Sequence, residues 1–382
     1  MKKVLFYYSA NIQTVYIESQ ILLFKEKGFD VSFITSCEKG IFHERLESNG
    51  IKTYAIPNKL SFKSNPINYI SNFLFLIYFI RKNNFEVVIP HLHLPCFVSS
   101  YVQYFTKAQF IFFRHNCSWW NNEDILESDT NRNEQRIDQI INKRAKKIVV
   151  PSEGVKNFMI EHEQVKSEKI EVLHYIYKFN LYQKPNDSVV ELLKEKYKGH
   201  LRLIMVSRMV KHKRHQLVLE CMKELIVKGL DIQLILLDEG PEKENLKMYV
   251  NENNLNKHVH FIGFTRDFIN YMEMSDVLIQ PSMTDASNNV FKEMGLLSKA
   301  VIVSENVADY SEYIHHNMNG FLVPINNTKT HLIQLIEKIY SNEYNIEKNG
   351  FALRETIINE FSFGEKQEVE YKKFFEKFNL LN

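Results

Sequence analysis

The sequence predicts an α/β fold in two lobes, each built on a parallel sheet, and three observations lead there. Short apolar, β-prone runs alternate with helix-spaced segments along most of the chain, and such alternation implies parallel, doubly wound sheets. The alternation lapses once, across residues 178–200, and then starts again. The length of 382 residues accommodates two domains at about 100–200 residues each.

Composition narrows the function classes. A hydrophobic share of 45% and a charged share of 25% are ordinary for globular protein and argue against disorder. The 48 basic and 46 acidic side chains leave a net charge of +2, so no global field would hold nucleic acid by counterion release, and nucleic acid is not an expected partner. Cys37, Cys96, Cys117 and Cys221 are far apart and lack CxxC spacing, which suggests neither a disulfide framework nor a zinc site and points to a reducing cytoplasm. The opening MKKVLFYYSAN reads as a buried first strand, because Ser9, Asn11 and Gln13 interrupt it before a signal-peptide core could form. The apolar run Phe73 to Ile80 is far short of the roughly 20 residues a spanning helix needs. With only 12 glycines, loops must use Asn and Ser where other proteins use Gly.

The elements follow in order. Val4 to Tyr8 and Val31 to Thr35 read as strands around a helix from Thr14 to Lys27 that ends at Gly28, which makes a βαβ unit. Lys52 to Ile56 is a strand, Ile67 to Arg81 a helix, and Phe85 to Ile89 a strand entering Pro90-His91-Leu92-His93. On a strand, His91 and His93 would point the same way. A buried strand, Phe110 to Phe113, runs into Arg114, His115 and the pair Trp119 and Trp120, followed by a helix from Ile137 to Lys143 and strands Lys147 to Val150 and Lys169 to Leu173. Pro185, Asn186 and Asp187 mark the junction. The second series has strands Leu201 to Val206, Ile232 to Leu237, Val259 to Ile262, Val277 to Ile279, Val301 to Val303 and Phe321 to Val323. Two Rossmann-like domains, 1–180 and 181–360, are expected to face each other across a cleft. A final helical stretch, 361–382, has an apolar stripe through Val369, Tyr371, Phe374 and Phe375.

The chemistry concentrates between Ser275 and Ser304. Val277 to Ile279 is strand-like, Pro281 and Ser282 end it, Asp285 to Asn288 form a polar loop, and a helix beginning near Asn289 carries Glu293 on its second turn. The two carboxylates would lie roughly 10 Å apart with helix N-terminal amides between them, where an anionic diphosphate is favoured. The same spacing also fits a capped, solvated helix. Upstream, Arg208 and Lys213 follow a strand and open a helix, where two cations would neutralise a diphosphate leaving group in place of a metal; surface charge at a helix start is the plainer alternative. His212 and His215 have HxxH spacing but no acidic third ligand nearby in sequence, and the three histidines His91, His93 and His115 likewise make a weak zinc case. Asp238-Glu239-Gly240-Pro241 is a strand-to-helix turn. No GxGxxG follows either opening strand, which argues against a dinucleotide-dependent dehydrogenase.

The stretch DASNNVFKE resembles the best-known motif of the retaining glycosyltransferases of the GT-B fold, especially glycosyltransferase family 4 (the group 1 glycosyl transferases), in which two glutamates are separated by seven residues. Asp285 stands where the family usually has Glu, Ala286 to Asn288 replace its Gly and apolar residues, and Ser298 and Ala300 stand where Gly and Pro usually close the helix. Asp238 to Pro241 looks like the family's GxGP turn with its first Gly replaced, and the loop Ser9 to Gln13 lacks the glycines common there. The resemblance implies a retaining, metal-independent transferase with no cofactor. A nucleoside diphosphate sugar would be the donor, held mainly by the second domain, and a saccharide or lipid-linked acceptor would sit on the first. It assigns His115, Arg208, Lys213 and Asp285 to the reacting centre, and Gly240, Pro241, Ser287, Asn288, Asn289, Val290 and Glu293 to the donor. It also implies that the last helix packs back onto the first domain. Trp119 and Trp120, following His115, would present a face to an acceptor sugar or lid the cleft, with plain packing near a strand end as the alternative. Surface polysaccharide synthesis in the cytoplasm is the expected setting, with peripheral contact at the inner membrane face through Lys2, Lys3, Arg81, Lys143, Arg144, Lys146 and Lys147. The rival readings are a nucleotide-sugar epimerase on the same fold and a catalytically inactive sugar-nucleotide-binding protein.

Overall fold

The computed structural model describes residues 1–57, 66–115 and 129–381. The chain divides into two compact units, residues 1–182 together with 361–382, and residues 183–360.

The first unit runs β1 (Lys3–Tyr8), α1 (Val15–Glu26), β2 (Asp30–Thr35), α2 (Ile41–Ser48), β3 (Lys52–Ala55), α3 (Pro66–Asn83), β4 (Val87–Pro90), α4 (His93–Val102), β5 (Gln109–Phe110), β6 (Phe112–Phe113), α5 (Asp129–Arg144), β7 (Ile148–Val150), α6 (Glu153–Glu161) and β8 (Ile170–Val172). A five-stranded sheet has the order β3-β2-β1-β4-β5 and a three-stranded one β6-β7-β8; every pairing is parallel. Val4 to Tyr8 are all buried, the near-continuous apolar run of a strand covered on both faces.

Three readings of this half need correction. The strand expected over Phe110 to Phe113 is two strands in different sheets: Phe110 pairs with Val88 of β4, and after Ile111 the chain turns to pair Phe112 with Ile148 of β7. All four side chains stay buried, so the apolar pattern has no mark of the change. His91 and His93 do not alternate on one strand. Leu92, with φ of +70°, turns the chain between them, so His91 bridges to Phe113 at the strand end while His93 opens α4. Helix α5 begins at Asp129, not Ile137, because its first two turns, DTNRNEQR, carry no apolar residue and the periodicity starts only afterwards.

The second unit runs α7 (Asp187–Lys196), β9 (Leu201–Val206), α8 (His215–Val227), β10 (Ile232–Leu237), α9 (Lys243–Glu252), β11 (Val259–Gly263), α10 (Phe268–Met274), β12 (Val277–Gln280), α11 (Asn289–Leu296), β13 (Ala300–Ser304), α12 (Tyr310–Tyr313), β14 (Phe321–Val323), α13 (Thr328–Tyr340) and α14 (Ile346–Phe361). Its six strands are all parallel, in the order β11-β10-β9-β12-β13-β14. The core is aliphatic, with Leu203, Met205, Leu234, Leu236, Val277, Ile279 and Ile302 buried from β9, β10, β12 and β13. The winding reverses between β9 and β12, which lie side by side in the sheet, and in doubly wound sheets ligands bind beyond the strand ends at that reversal.

The last helix, α15 (Glu365–Lys377), belongs to the first unit. Phe375 meets Phe24 and Phe29 at ring-centroid distances of 5.0 and 5.4 Å, and Phe374 meets Phe113 at 6.2 Å. Val369, read into the apolar stripe, is exposed; Gln367 takes the buried position on the first turn instead.

Candidate functional site

Three loops of the second unit meet at the carboxyl ends of β9, β10 and β12. The chain after β9 crosses the turn after β10 at Met209, whose N–H donates to the Glu239 carbonyl (2.9 Å) and whose carbonyl accepts from the Glu242 N–H (3.1 Å). Gly240 is required there, since a Cβ would stand 2.2 Å from the Met209 carbonyl oxygen. Asp238 has φ of +86°, so it adopts the left-handed conformation that a glycine would take without strain. The loop after β9 also reaches the loop after β12, where the Met283 N–H donates to the His212 carbonyl (2.8 Å).

That contact sets Lys213 against Asp285. The Lys213 ammonium donates to Asp285 Oδ2 at 2.7 Å, and both side chains are mostly buried. Asn288 Nδ2 (2.8 Å) and the Tyr310 hydroxyl (3.4 Å) donate to the same oxygen, and the Ala286 N–H donates to Oδ1 (3.1 Å). Burial alone would raise the Asp285 pKa, but the Lys213 charge and these hydrogen bonds outweigh it and hold the carboxyl below its usual range. Asp285 is therefore a carboxylate at neutral pH. Arg208 is exposed, and among the described residues no carboxylate pairs with it. The neighbouring His212 imidazole is pushed down to about 4 by burial and by Lys213, and so is neutral.

Asn288 has a second task. Its Oδ1 accepts from the Phe291 N–H (3.2 Å) and so caps α11, whose first residues are Asn289 and Val290. Beneath the cap lies a buried charge pair that sequence reading missed. The Lys292 ammonium reaches Asp309 Oδ2 (2.9 Å) and Ser287 Oγ (2.5 Å), with both charged side chains essentially inaccessible to solvent. Ser287 Oγ donates to Asp309 Oδ2 (2.6 Å), and the Asn288 N–H donates to Asp309 Oδ1 (3.3 Å). The only mark in the sequence is a charged residue at a position where the helical period calls for an apolar one. Glu293, next along the helix, is half-buried, and its carboxyl is raised to about 7 by burial, with Lys292 opposing.

In the first unit, His115 follows β6 and sits in a chain of aromatic polar groups. Its Nδ1 pairs with the Tyr175 hydroxyl and its Nε2 with His91 Nδ1 (2.8 Å). Tyr16 stacks on Tyr175 with ring centroids 4.1 Å apart. Burial, with a contribution from His93, pushes His115 down to about 3, and burial also drives His91 well below its usual value. Both rings are neutral, so each offers one donor and one acceptor nitrogen. His93 stands apart from them. It pairs with Asp138 (3.2 Å), whose hydrogen bond and charge overcome burial and raise the imidazole pKa, while Asp138 also receives Arg114 (3.0 Å). Arg114 pairs with Glu163 as well, so the charged groups of this cluster are paired with one another. Among the described residues no group of three His, Cys, Asp or Glu stands together to hold a metal ion. Trp119 and Trp120 lie outside the described residues.

Residues 193–358 match the family model for glycosyl transferases group 1, and residues 13–175 match that for glycosyltransferase family 4. The chain belongs to the group 1 glycosyltransferases. This glycosyltransferase has the GT-B architecture of two Rossmann-like domains, like Anabaena HepE in complex with UDP-glucose (TM-score 0.79, 16% identity, 100% of both chains). Sucrose-phosphate synthase from Thermosynechococcus elongatus is as similar in fold (TM-score 0.79, 15% identity, 99% of both chains). In sequence, the glycosyltransferase is 25% identical to an uncharacterised glycosyltransferase of Methanocaldococcus jannaschii, over 87% of this chain and 86% of the relative. It is also 25% identical to a Campylobacter jejuni enzyme named N-acetylgalactosamine-N,N'-diacetylbacillosaminyl-diphospho-undecaprenol 4-alpha-N-acetylgalactosaminyltransferase, a match that spans 48% of each chain.

Proposed function

We propose that this glycosyltransferase moves a sugar, with retention of anomeric configuration and without a metal, from a nucleoside diphosphate sugar to a saccharide or lipid-linked acceptor in surface polysaccharide synthesis. The observation that carries the reading is the junction of the Lys213–Asp285 pair with the capped start of α11 at the reversal of the sheet. A diphosphate is stabilised there by the helix dipole and by cations. In this reading Arg208 and Lys213 meet the charge that develops on the diphosphate. Asp285 and His115 meet the sugar, Glu293 accepts from the ribose, and Gly240 and Pro241 line the base. The acceptor oxygen bonds the anomeric carbon as the carbon–oxygen bond to the diphosphate breaks, and the acceptor's proton passes to the leaving diphosphate. The undecaprenol-linked acceptor in the Campylobacter relative's name supports a lipid-linked acceptor, and a cytoplasmic setting follows from a nucleotide-sugar donor.

A thermal-shift panel of nucleoside diphosphate sugars identifies the donor. With it, Arg208→Ala and Lys213→Ala each lower kcat by about 10²–10³-fold, the scale for removing a preorganised partner of developing charge. Near-normal rates in both variants would remove the mechanism. Nuclear magnetic resonance of the first-formed product reads the anomeric configuration, and turnover in excess chelator reads the metal requirement. Donor conversion with no acceptor present would instead identify an epimerase.

A further inference from the structure

The hydrogen-bonded chain from His91 through His115 to Tyr175 has a direction, and its buried end sets it. His91 is 0% exposed, with Phe6 and Phe113 stacked beside its ring at centroid distances of 5.7 and 4.8 Å. Its Nδ1 meets His115 Nε2 at 2.8 Å, while its Nε2 has no hydrogen-bond partner among the described residues. Both rings are neutral, so this contact needs the proton of one ring and the lone pair of the other.

Two arrangements satisfy it. In the first, the Tyr175 hydroxyl donates to His115 Nδ1 and His115 Nε2–H donates to His91 Nδ1, which leaves His91 with a buried Nε2–H and no acceptor for it. In the second, His91 Nδ1–H donates to His115 Nε2 and His115 Nδ1–H donates to the Tyr175 oxygen, so that only a lone pair on His91 Nε2 goes unmet. A buried N–H without an acceptor is rarer in folded proteins than an under-used acceptor, which favours the second. The far end of the chain agrees. Burial raises the Tyr16 hydroxyl pKa well above its usual value, and a hydrogen bond with Tyr175 opposes the rise, as a bond donated to the Tyr16 oxygen does. With its proton given to Tyr16, the Tyr175 oxygen accepts from His115.

We propose that His91 is a positioning residue for His115: it donates from Nδ1, fixes the His115 proton on Nδ1, and so holds that imidazole in one tautomer and one orientation. His91 itself is closed off from solvent and touches no substrate. The place of His115 at the sugar rests on the function proposed above; the tautomer does not. With both nitrogens engaged, His115 neither takes nor gives up a proton during transfer. It stands as a fixed, uncharged group, which suits a reaction in which the acceptor's proton passes to the leaving diphosphate.

The tautomer is read by nitrogen-15 magnetic resonance of the full chain with ring-labelled histidine, in the absence of donor and acceptor. The two nitrogens of a neutral imidazole resonate far apart according to which bears the proton, and the two rings are identified by the signals lost in His115→Gln and His91→Phe. Both are expected to carry the proton on Nδ1 across about pH 6–8. A proton on His115 Nε2 would overturn the proposal. Turnover then separates positioning from packing. His91→Phe keeps the apolar stack and removes the donor, and is expected to lower kcat about 10–100-fold with the donor KM within about twofold of wild type. His91→Asn, whose side-chain N–H takes the place of Nδ1–H, should recover most of that rate. A purely structural His91 gives the reverse order, because Phe fills the space and Asn leaves a gap. A wild-type rate in His91→Phe, or a lower rate in His91→Asn than in His91→Phe, would therefore overturn the proposal as well. A wild-type chain that transfers sugar from no nucleoside diphosphate sugar would count against the function proposed above, and the spectrum would still decide the tautomer.

Discussion

At the scale of single residues, the two acids of the motif differ in kind. Asp285 is held as a carboxylate by Lys213, Asn288 and Tyr310, whereas the Glu293 carboxyl sits near 7 because burial penalises its charge. Under the proposed role, Glu293 accepts from ribose hydroxyls, and such bonds favour its ionised form. Nucleoside diphosphate affinity is then expected to rise by about tenfold per pH unit below 7 and to level off above it, as binding requires the loss of one proton. Glu293→Gln should bind more weakly above pH 7 and lose the part of the slope that this carboxyl supplies. Calorimetry across pH reads both, and an unchanged profile would return Glu293 to a structural role. The sequence showed one cation and one acid in separate loops 72 residues apart, and only the packing of those loops makes them an ion pair.

At the scale of elements, α11 is held at its start by more than its cap. Asp309, from the loop after β13, takes Lys292, Ser287 and the Asn288 N–H together, so the 285–288 loop depends on a charge pair that the solvent does not reach. Asp309→Asn leaves the Lys292 charge buried without its partner and is expected to cost about 3–5 kcal/mol. The second unit should melt lower by on the order of 10 °C, and donor affinity should fall with the loosened loop, both measurable by calorimetry. Melting unchanged from wild type would show that Lys292 is not charged there. The shortage of glycine was legible in composition, and its consequence appears in the loops: among the described residues, seven of the 13 non-glycine residues with positive φ are asparagine, whose short amide tolerates the left-handed region. The division between β5 and β6 was not legible, because a strand that changes partner while staying buried keeps the same apolar pattern.

At the scale of the whole molecule, the two ends of the chain are folded into one unit. Phe375 is 2% exposed against Phe24 and Phe29, some 350 residues earlier. Phe375→Ala is expected to destabilise the first unit by about 3–5 kcal/mol, lowering its melting transition while leaving intact the transition that donor nucleotide raises. Equal loss in both transitions would show that the units melt as one. The sequence by itself determined the alternation of strands and helices, the two parallel-sheet lobes and the family, because period and apolar runs are local properties and a spaced motif survives without contacts. Tertiary structure alone decided what each polar side chain faces. The Lys292–Asp309 pair, the Tyr175–His115–His91 chain and the separation of His93 from His91 all depend on residues distant in sequence. Burial and charge pairing are set by the assembled whole.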